Sequence, residues 1–151
     1  MLSVVTSILV ILLDQLTKNM AISLKNNEIV IIDNFLKFTY LENRGAAFGI
    51  LQEKRIILII FTILVIGVIS IFLFKNYKEI STLGRIFFGL LIGGALGNFI
   101  DRFLNGYVVD YISVTFPNGY QFPIFNLADI CVVISCIGLA IILIKGDKVD
   151  S

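Results

Sequence analysis

The chain contains no histidine, and this absence excludes several kinds of site. A Ser-His-Asp triad, a Cys-His dyad, a histidine-ligated zinc site and an imidazole proton shuttle all need that residue. Acid–base chemistry must therefore come from carboxylates, Lys, Tyr or Cys. Cysteine is also scarce, since only Cys131 and Cys136 are present, five positions apart in one apolar run. A helix would point these two side chains to different sides, so we expect no disulfide between them.

The chain also has few charged residues. They make up 15% of the 151 residues, and hydrophobic residues make up 58%. Soluble domains typically have about 25% charged and about 45–50% apolar residues. The mean hydropathy of +0.96 is equally extreme, and the formal net charge is only +1. This composition excludes a soluble globular enzyme, a disordered tail and a nucleic-acid-binding protein.

Four long apolar blocks predict four membrane-spanning helices. The clearest block, 56–74, has 19 residues without a charge. As a helix it would be roughly 28 Å long, enough to cross a hydrocarbon core of about 30 Å. The other blocks are 2–24, 82–104 and 124–144. Helices are expected because lipid offers no partner to an open backbone. We predict an all-α membrane protein with four transmembrane helices, forming one domain over 1–151.

The first block could instead be a cleaved signal peptide, because Ala21-Ile22-Ser23 is a weak small-x-small site. No basic stretch precedes the apolar run, and Asp14 interrupts it, so a retained helix is favoured. The segment 25–54 that follows contains two runs rich in β-forming residues, 28–32 and 35–40. This pattern predicts a small β-rich segment on the membrane surface between the first and second helices.

Four acidic or basic side chains lie in or at the ends of the apolar blocks: Asp14, Lys18, Asp101 and Asp129. A charge at the centre of a spanning helix costs about 2.5–3.5 kcal/mol, so each needs a partner or a function. Asp14 and Lys18 share a helix face and can pair, either as a surface pair near the interface or with Asp14 orienting a group across the bundle. For Asp101, a structural network is as reasonable as chemistry.

The third block, 82–104, contains both a repeat of glycines and a group of polar residues. Gly89, Gly93 and Gly97 repeat every four residues, a stripe that lets helices approach closely. Asn98 shares a helix face with Asp101, three positions later, and Arg102 is placed to form an ion pair.

Two isolated carboxylates indicate a possible chemistry. Asp110 and Asp129 bracket an uncharged stretch, 111–128, and the spacing of Asn126 to Asp129 repeats that in the third block. Two carboxylates close together in a poorly solvated place share a proton, which supplies one general base and one general acid. Carboxylate-dyad hydrolysis, proton or ion transport through the same acids, and structural pairing all remain open on these features.

The order of the polar motifs adds a family resemblance. Five segments occur in sequence: 14–18 (DQLTK), 43–49 (NRGAAFG), 97–102 (GNFIDR), 108–110 (VVD) and 125–129 (FNLAD). With four predicted helices and this length, the chain resembles bacterial lipoprotein signal peptidase (signal peptidase II) over nearly its full length. One departure is Tyr111, where the family usually has Phe.

The resemblance implies an intramembrane aspartic endopeptidase that removes prolipoprotein signal peptides by cleaving before a diacylglyceryl-modified Cys. It makes Asp110 and Asp129 the catalytic pair. The polar positions expected to bind substrate or orient the pair are Asn43, Arg44, Asn98, Arg102 and Asn126. Those expected to be structural are Asp14, Lys18 and Asp101. No metal or other cofactor is expected, and the expected partners are lipidated precursors and membrane lipid, with a monomeric enzyme and no nucleic acid.

The resemblance further implies a bacterial cytoplasmic membrane, cytoplasmic termini and an active site near the outer face. The distribution of Lys and Arg favours the opposite orientation, with five on the side of the termini and seven on the other. We follow the resemblance. The alternative function is a small proton- or ion-coupled transporter using the intramembrane Asp residues, although the repeat typical of transporters is missing. A metal-dependent lipid-headgroup transferase is disfavoured because it needs several acids close together on one helix, whereas Asp101, Asp110 and Asp129 are far apart. No sequence feature argues directly for a non-catalytic assembly subunit.

Overall fold

The computed structural model of the chain describes residues 1–45 and 54–144, and its backbone contains the four predicted helices. They are α1 (Leu2–Ala21), α2 (Arg55–Asn76), α3 (Thr82–Leu104) and α4 (Leu127–Ile144). A single 3₁₀ turn, Ile22–Leu24, extends α1. All four are long and apolar enough to cross a membrane, which confirms this part of the prediction.

The fourth helix begins three residues later than predicted, at Leu127 rather than at 124. The chain just before it is still extended, because the Phe125 N–H donates to the Ile112 carbonyl and the Ile112 N–H donates to the Phe125 carbonyl. An apolar residue such as Phe125 therefore belongs to a strand-like connection and not to the span. Hydropathy cannot separate these two environments.

Three antiparallel strands form a small sheet beyond the helix ends, in the order β1 (Ile29–Ile32), β2 (Leu36–Asn43) and β3 (Val108–Val114). The first two lie in the predicted β-rich segment, of which residues 46–53 fall outside the described residues. The third strand comes from the connection between α3 and α4, which the prediction left out. Its register on β2 places Leu41 opposite Asp110 and Asn43 opposite Val108.

The glycine stripe allows α3 to pack tightly between α1 and α4. A methyl group on Gly89 would lie 2.6 Å from Thr6 Cβ, and one on Gly93 would lie 2.8 Å from Val10 Cβ, both on α1. The contact with α4 comes from Gly94, next to the stripe, where a methyl group would lie 2.6 Å from the Ala128 carbonyl oxygen. The packing role predicted for the stripe is thus present, and it brings the polar residues of three helices together.

Burial in this bundle is the reverse of that in a soluble protein. Large apolar side chains such as Val68 and Phe74 on α2 are exposed, whereas Asp14 and Ser135 are completely buried. Lipid can solvate the apolar exterior, and the interior can then hold polar groups that bond to one another.

Candidate active site

Two carboxylates bond to one asparagine network where the sheet adjoins α3 and α4. Asp110 lies on β3, and Asp129 lies in the first turn of α4. Asn126 Nδ2 donates to Asp110 Oδ1 at 2.7 Å and is 3.1 Å from Asn98 Oδ1. Asn98 Nδ2 in turn donates to Asp129 Oδ1 at 2.8 Å. A continuous chain of two asparagine amides therefore links the two carboxylates.

The local sequence explains why Asp129 points to this place. Asn126 is the N-cap of α4, and its Oδ1 accepts from the Asp129 N–H at 3.0 Å. Asp129 Oδ2 accepts from the Asn126 N–H at 3.1 Å. This reciprocal pair is a capping box, which satisfies two backbone donors of the helix terminus. The three-residue spacing of Asn126 and Asp129 therefore caps the helix and also fixes the orientation of the Asp129 carboxylate. Asn98 and Asp101 have the same spacing, but they lie inside α3 and form no cap.

A third amide reaches Asp110 from the neighbouring strand. Asn43 Nδ2 donates to Asp110 Oδ2 at 2.8 Å, and Asn43 Oδ1 accepts from the Gly45 N–H at 2.9 Å. Each oxygen of Asp110 therefore receives one amide donor, one from β2 and one from the residue that caps α4.

The two carboxylates differ in burial. Asp110 is 1% exposed, whereas Asp129 is only partly buried. Desolvation by burial raises the pKa of the Asp110 carboxyl to about 7, and the negative charge of Asp129 acts in the same direction. The hydrogen bonds from Asn43 and Asn126 and the charge of Lys18 oppose this shift. Near neutral pH the pair can therefore hold one proton between two acids.

Arg102 lies beside this pair but does not form the ion pair with Asp101 that we considered from the sequence. Its Nη2 donates to the Gly45 carbonyl at 3.0 Å, and its charge interacts with Asp129 and Asp110. Among the described residues, its buried Nε has no hydrogen-bond partner. The guanidinium is thus close enough to both carboxylates to interact with them through its charge, and its Nε is an available donor.

Lys18 and Asp14 form a buried network, so the interpretation as a surface pair is wrong. Lys18 Nζ lies 2.8 Å from Asp14 Oδ2, 3.0 Å from Asp101 Oδ2 and 2.9 Å from Asn98 Oδ1. The Lys18 side chain is 3% exposed and that of Asp14 is fully buried. Asp14 Oδ1 also accepts from the Ala128 N–H at 3.0 Å, and it therefore satisfies a backbone donor across the bundle.

Gln15 is a further member of this network and was not among the predicted site residues. Gln15 Nε2 donates to Asp101 Oδ1 at 3.0 Å, and the other oxygen of Asp101 accepts from the Val109 N–H at 3.1 Å. Asp101 therefore connects α1 to the strand that carries Asp110. Gln15 stands next to Asp14 in the first motif, and that position was its only signal in the sequence.

The comparisons with known proteins agree with this geometry. The signal peptidase (SPase) II family profile matches residues 6–145. This chain belongs to the signal peptidase II family.

Individual relatives support this assignment over nearly the full length. The lipoprotein signal peptidase of Clostridium novyi is 47% identical over 141 residues, covering 91% of this chain and 94% of its own. That of Clostridium acetobutylicum is 47% identical over 143 residues, covering 93% and 92%. A solved bacterial membrane enzyme superposes with a TM-score of 0.85 at 36% identity, covering 95% of this chain and 87% of that one. The predicted resemblance to signal peptidase II is thus confirmed.

Most of the polar positions expected for a signal peptidase II converge on the carboxylates, but Arg44 does not. Its guanidinium donates to Glu42 at 3.2 Å and lies 5.8 Å from the centre of the Tyr107 ring, and its side chain is exposed. The rest of its motif, residues 46–49, falls outside the described residues. Within the described part of the chain, no group of three acidic or cysteine side chains could hold a metal ion.

Proposed function

We propose that this signal peptidase II is an aspartic endopeptidase that cleaves prolipoproteins before the diacylglyceryl-modified Cys, with Asp110 and Asp129 as its catalytic pair. The observation that carries this proposal is the chain of amides that connects the two carboxylates. It holds both acids in fixed orientations at one face of the helix bundle. Family membership favours this activity over the transporter considered from the sequence.

The pair can supply both steps of peptide hydrolysis. Asp110 is the more buried acid and holds the shared proton in the resting site, since its pKa is raised to about 7. Asp129 is partly open and takes a proton from the attacking water. Asp110 then donates its proton to the oxygen of the scissile carbonyl. The proton gained by Asp129 goes to the departing amine as the C–N bond breaks. One hydroxyl of the tetrahedral diol returns its proton to Asp110 as the carbonyl re-forms, so the reaction ends with the dyad as it began.

The neighbouring donors have separate roles in this scheme. Asn43, Asn98 and Asn126 donate to the carboxylates and hold them in place. Arg102 has a buried Nε without a partner among the described residues, and it would bind a backbone carbonyl of the substrate. Arg44 lies farther out and would contact the substrate only at the edge of the sheet.

We propose that the site lies at a membrane face, because Asp110 is on the sheet and Asp129, in the first turn of α4, bonds to Asn98 in the second half of α3. A lipidated Cys at the end of a signal peptide would reach it from the bilayer. We place the termini in the cytoplasm and this face toward the outside of the bacterial cytoplasmic membrane. The enzyme is proposed to act as a monomer surrounded by lipid.

The test is cleavage of a diacylglyceryl-modified precursor peptide by the purified protein, followed by mass spectrometry. Asp129→Asn and Asp110→Asn should each abolish the product while the protein still inserts and accumulates. Asp33→Asn is the matched control, because this exposed acid lies in the β1–β2 turn. We expect it to cleave at the wild-type rate. Wild-type turnover by Asp110→Asn would disprove the dyad, and a proton-coupled transporter would leave the peptide intact.

A further inference from the structure

Lys18 occupies a site that uses all three protons of its ammonium group. The acceptors are Asp14 Oδ2, Asp101 Oδ2 and Asn98 Oδ1, all within 3.0 Å. An ammonium group has three donors and no acceptor. The first two partners neutralise charge, but the third is an amide that already bonds to Asp129. The cation therefore acts on the carboxylate pair through Asn98.

An asparagine amide can present either its oxygen or its NH₂ in a given direction. Next to a buried cation, only the oxygen is acceptable, because an NH₂ would place two donors face to face. The Lys18 ammonium thus keeps the amide oxygen of Asn98 pointing toward Lys18. The NH₂ group of Asn98 is then forced toward Asp129 Oδ1, 2.8 Å away.

The other two amides of the site are oriented in a different way. Asn43 Oδ1 accepts from the backbone N–H of Gly45, and Asn126 Oδ1 accepts from that of Asp129. Asn98 lies inside α3, where the backbone N–H groups are used by the helix itself. Donors for its oxygen have to come from other elements. Asn126 Nδ2 supplies one at 3.1 Å, and the Lys18 ammonium on α1 supplies the shorter, charged one at 2.9 Å.

We infer that Lys18 is a positioning residue for peptide hydrolysis, which keeps the Asn98 amide in the one orientation that donates to Asp129. This inference rests on the proposed function, because it takes the Asp110–Asp129 pair as the catalytic one. It assigns to Lys18 more than the structural role expected from the sequence. The buried ammonium sets a hydrogen bond at the reacting group without touching the substrate.

Removal of the ammonium should change how the rate depends on pH. The Asn98 amide could then rotate and present its oxygen to Asp129, an arrangement that favours the protonated carboxyl group over the carboxylate. The enzyme would reach its active, singly protonated state only at higher pH. Loss of one hydrogen bond to a charged group corresponds to a shift of about one pH unit in the acid limb of the profile.

The single substitution Lys18→Met is a poor test, since it leaves Asp14 and Asp101 buried without a cation. Lys18→Met combined with Asp101→Asn reduces the cost, because only Asp14 is then left without a cation. The wild-type trio of Lys18, Asp14 and Asp101 has a net charge of −1 (+1 − 1 − 1), and the double variant keeps −1 on Asp14 alone. Asp101→Asn by itself is the control for the amide, because it retains the bond from Lys18 to Asn98. The wild type is the control for charge, because its trio has the same net charge as the double variant.

The experiment measures kcat and KM for the lipidated peptide between pH 4 and pH 9, with thermal unfolding of each variant in the same detergent. We expect the acid limb of the double variant to lie about one pH unit above that of Asp101→Asn, with a lower kcat and KM within about twofold. Coincident profiles for these two variants would overturn the inference alone. A wild-type protein that leaves the peptide intact would overturn the proposed function, and this inference with it.

Discussion

The hydrogen bond from Asn43 to Asp110 offers a sharp test of the proposed mechanism. Asn43 Nδ2 donates to Asp110 Oδ2 at 2.8 Å, and this bond holds the pKa of Asp110 below the value that burial alone would set. Asn43→Ala removes the donor and leaves the bond from Asn126 in place. The proton on Asp110 is then held more firmly, and the acid becomes weaker.

The size of the effect follows from the strength of a hydrogen bond to a charged group, about 1.5–3 kcal/mol. Each 1.36 kcal/mol corresponds to about one pKa unit. Asp110 starts from a pKa of about 7 and keeps its second donor, so we expect a rise of about one unit. Since the reaction needs a protonated Asp110, the basic limb of the profile moves to higher pH. At pH 9, the variant should retain about tenfold more of its maximal rate than the wild type does.

The assay is the pH dependence of kcat/KM for cleavage of the lipidated peptide. Asn27→Ala is the matched control, because this exposed residue precedes β1 on the same side of the bundle and its substitution removes an identical amide. Its profile should coincide with that of the wild type. A basic limb that stays in place in Asn43→Ala, or moves to lower pH, would refute the assignment of the proton to Asp110.

Two further predictions concern packing and cofactor use. Gly89→Ala should lower the stability of the detergent-solubilised protein by about 1–3 kcal/mol, because the added methyl group meets Thr6 and the Ser3 carbonyl oxygen. Gly67→Ala is its control and should be neutral or slightly stabilising in thermal unfolding, since a methyl group there has no described atom within 4 Å. Cleavage should be unaffected by metal chelators, because the carboxylate pair supplies both acid and base; a loss restored by Zn²⁺ or Mg²⁺ would contradict this.

The sequence alone was sufficient for features that depend on neighbouring residues. Membrane-spanning helices such as α3 are evident because length and apolarity are local properties, and α3 has the bounds predicted for it. The spacing of Asn126 to Asp129 was visible in the sequence, but the capping box that these residues form was recognised only in the structure. Asp110 stood out because a long uncharged stretch follows it. Lipid requires an apolar surface along each spanning helix and makes a charge there costly, so both features can be recognised in the sequence without knowledge of the fold.

Contacts between distant parts of the chain were decided only by the tertiary structure. Lys18 could pair with Asp14 by spacing alone, but its bonds to Asp101 and Asn98 cross about 80 residues of sequence. Nothing in the local pattern indicated that β3 would pair with β2, or that Arg102 would bond to the Gly45 carbonyl and leave Asp101 to Lys18. A buried ammonium group can donate its three protons to many different arrangements of oxygens, so its chemistry alone does not select the partners. Which oxygens those are depends on how closely the glycines of α3 let α1 and α4 approach.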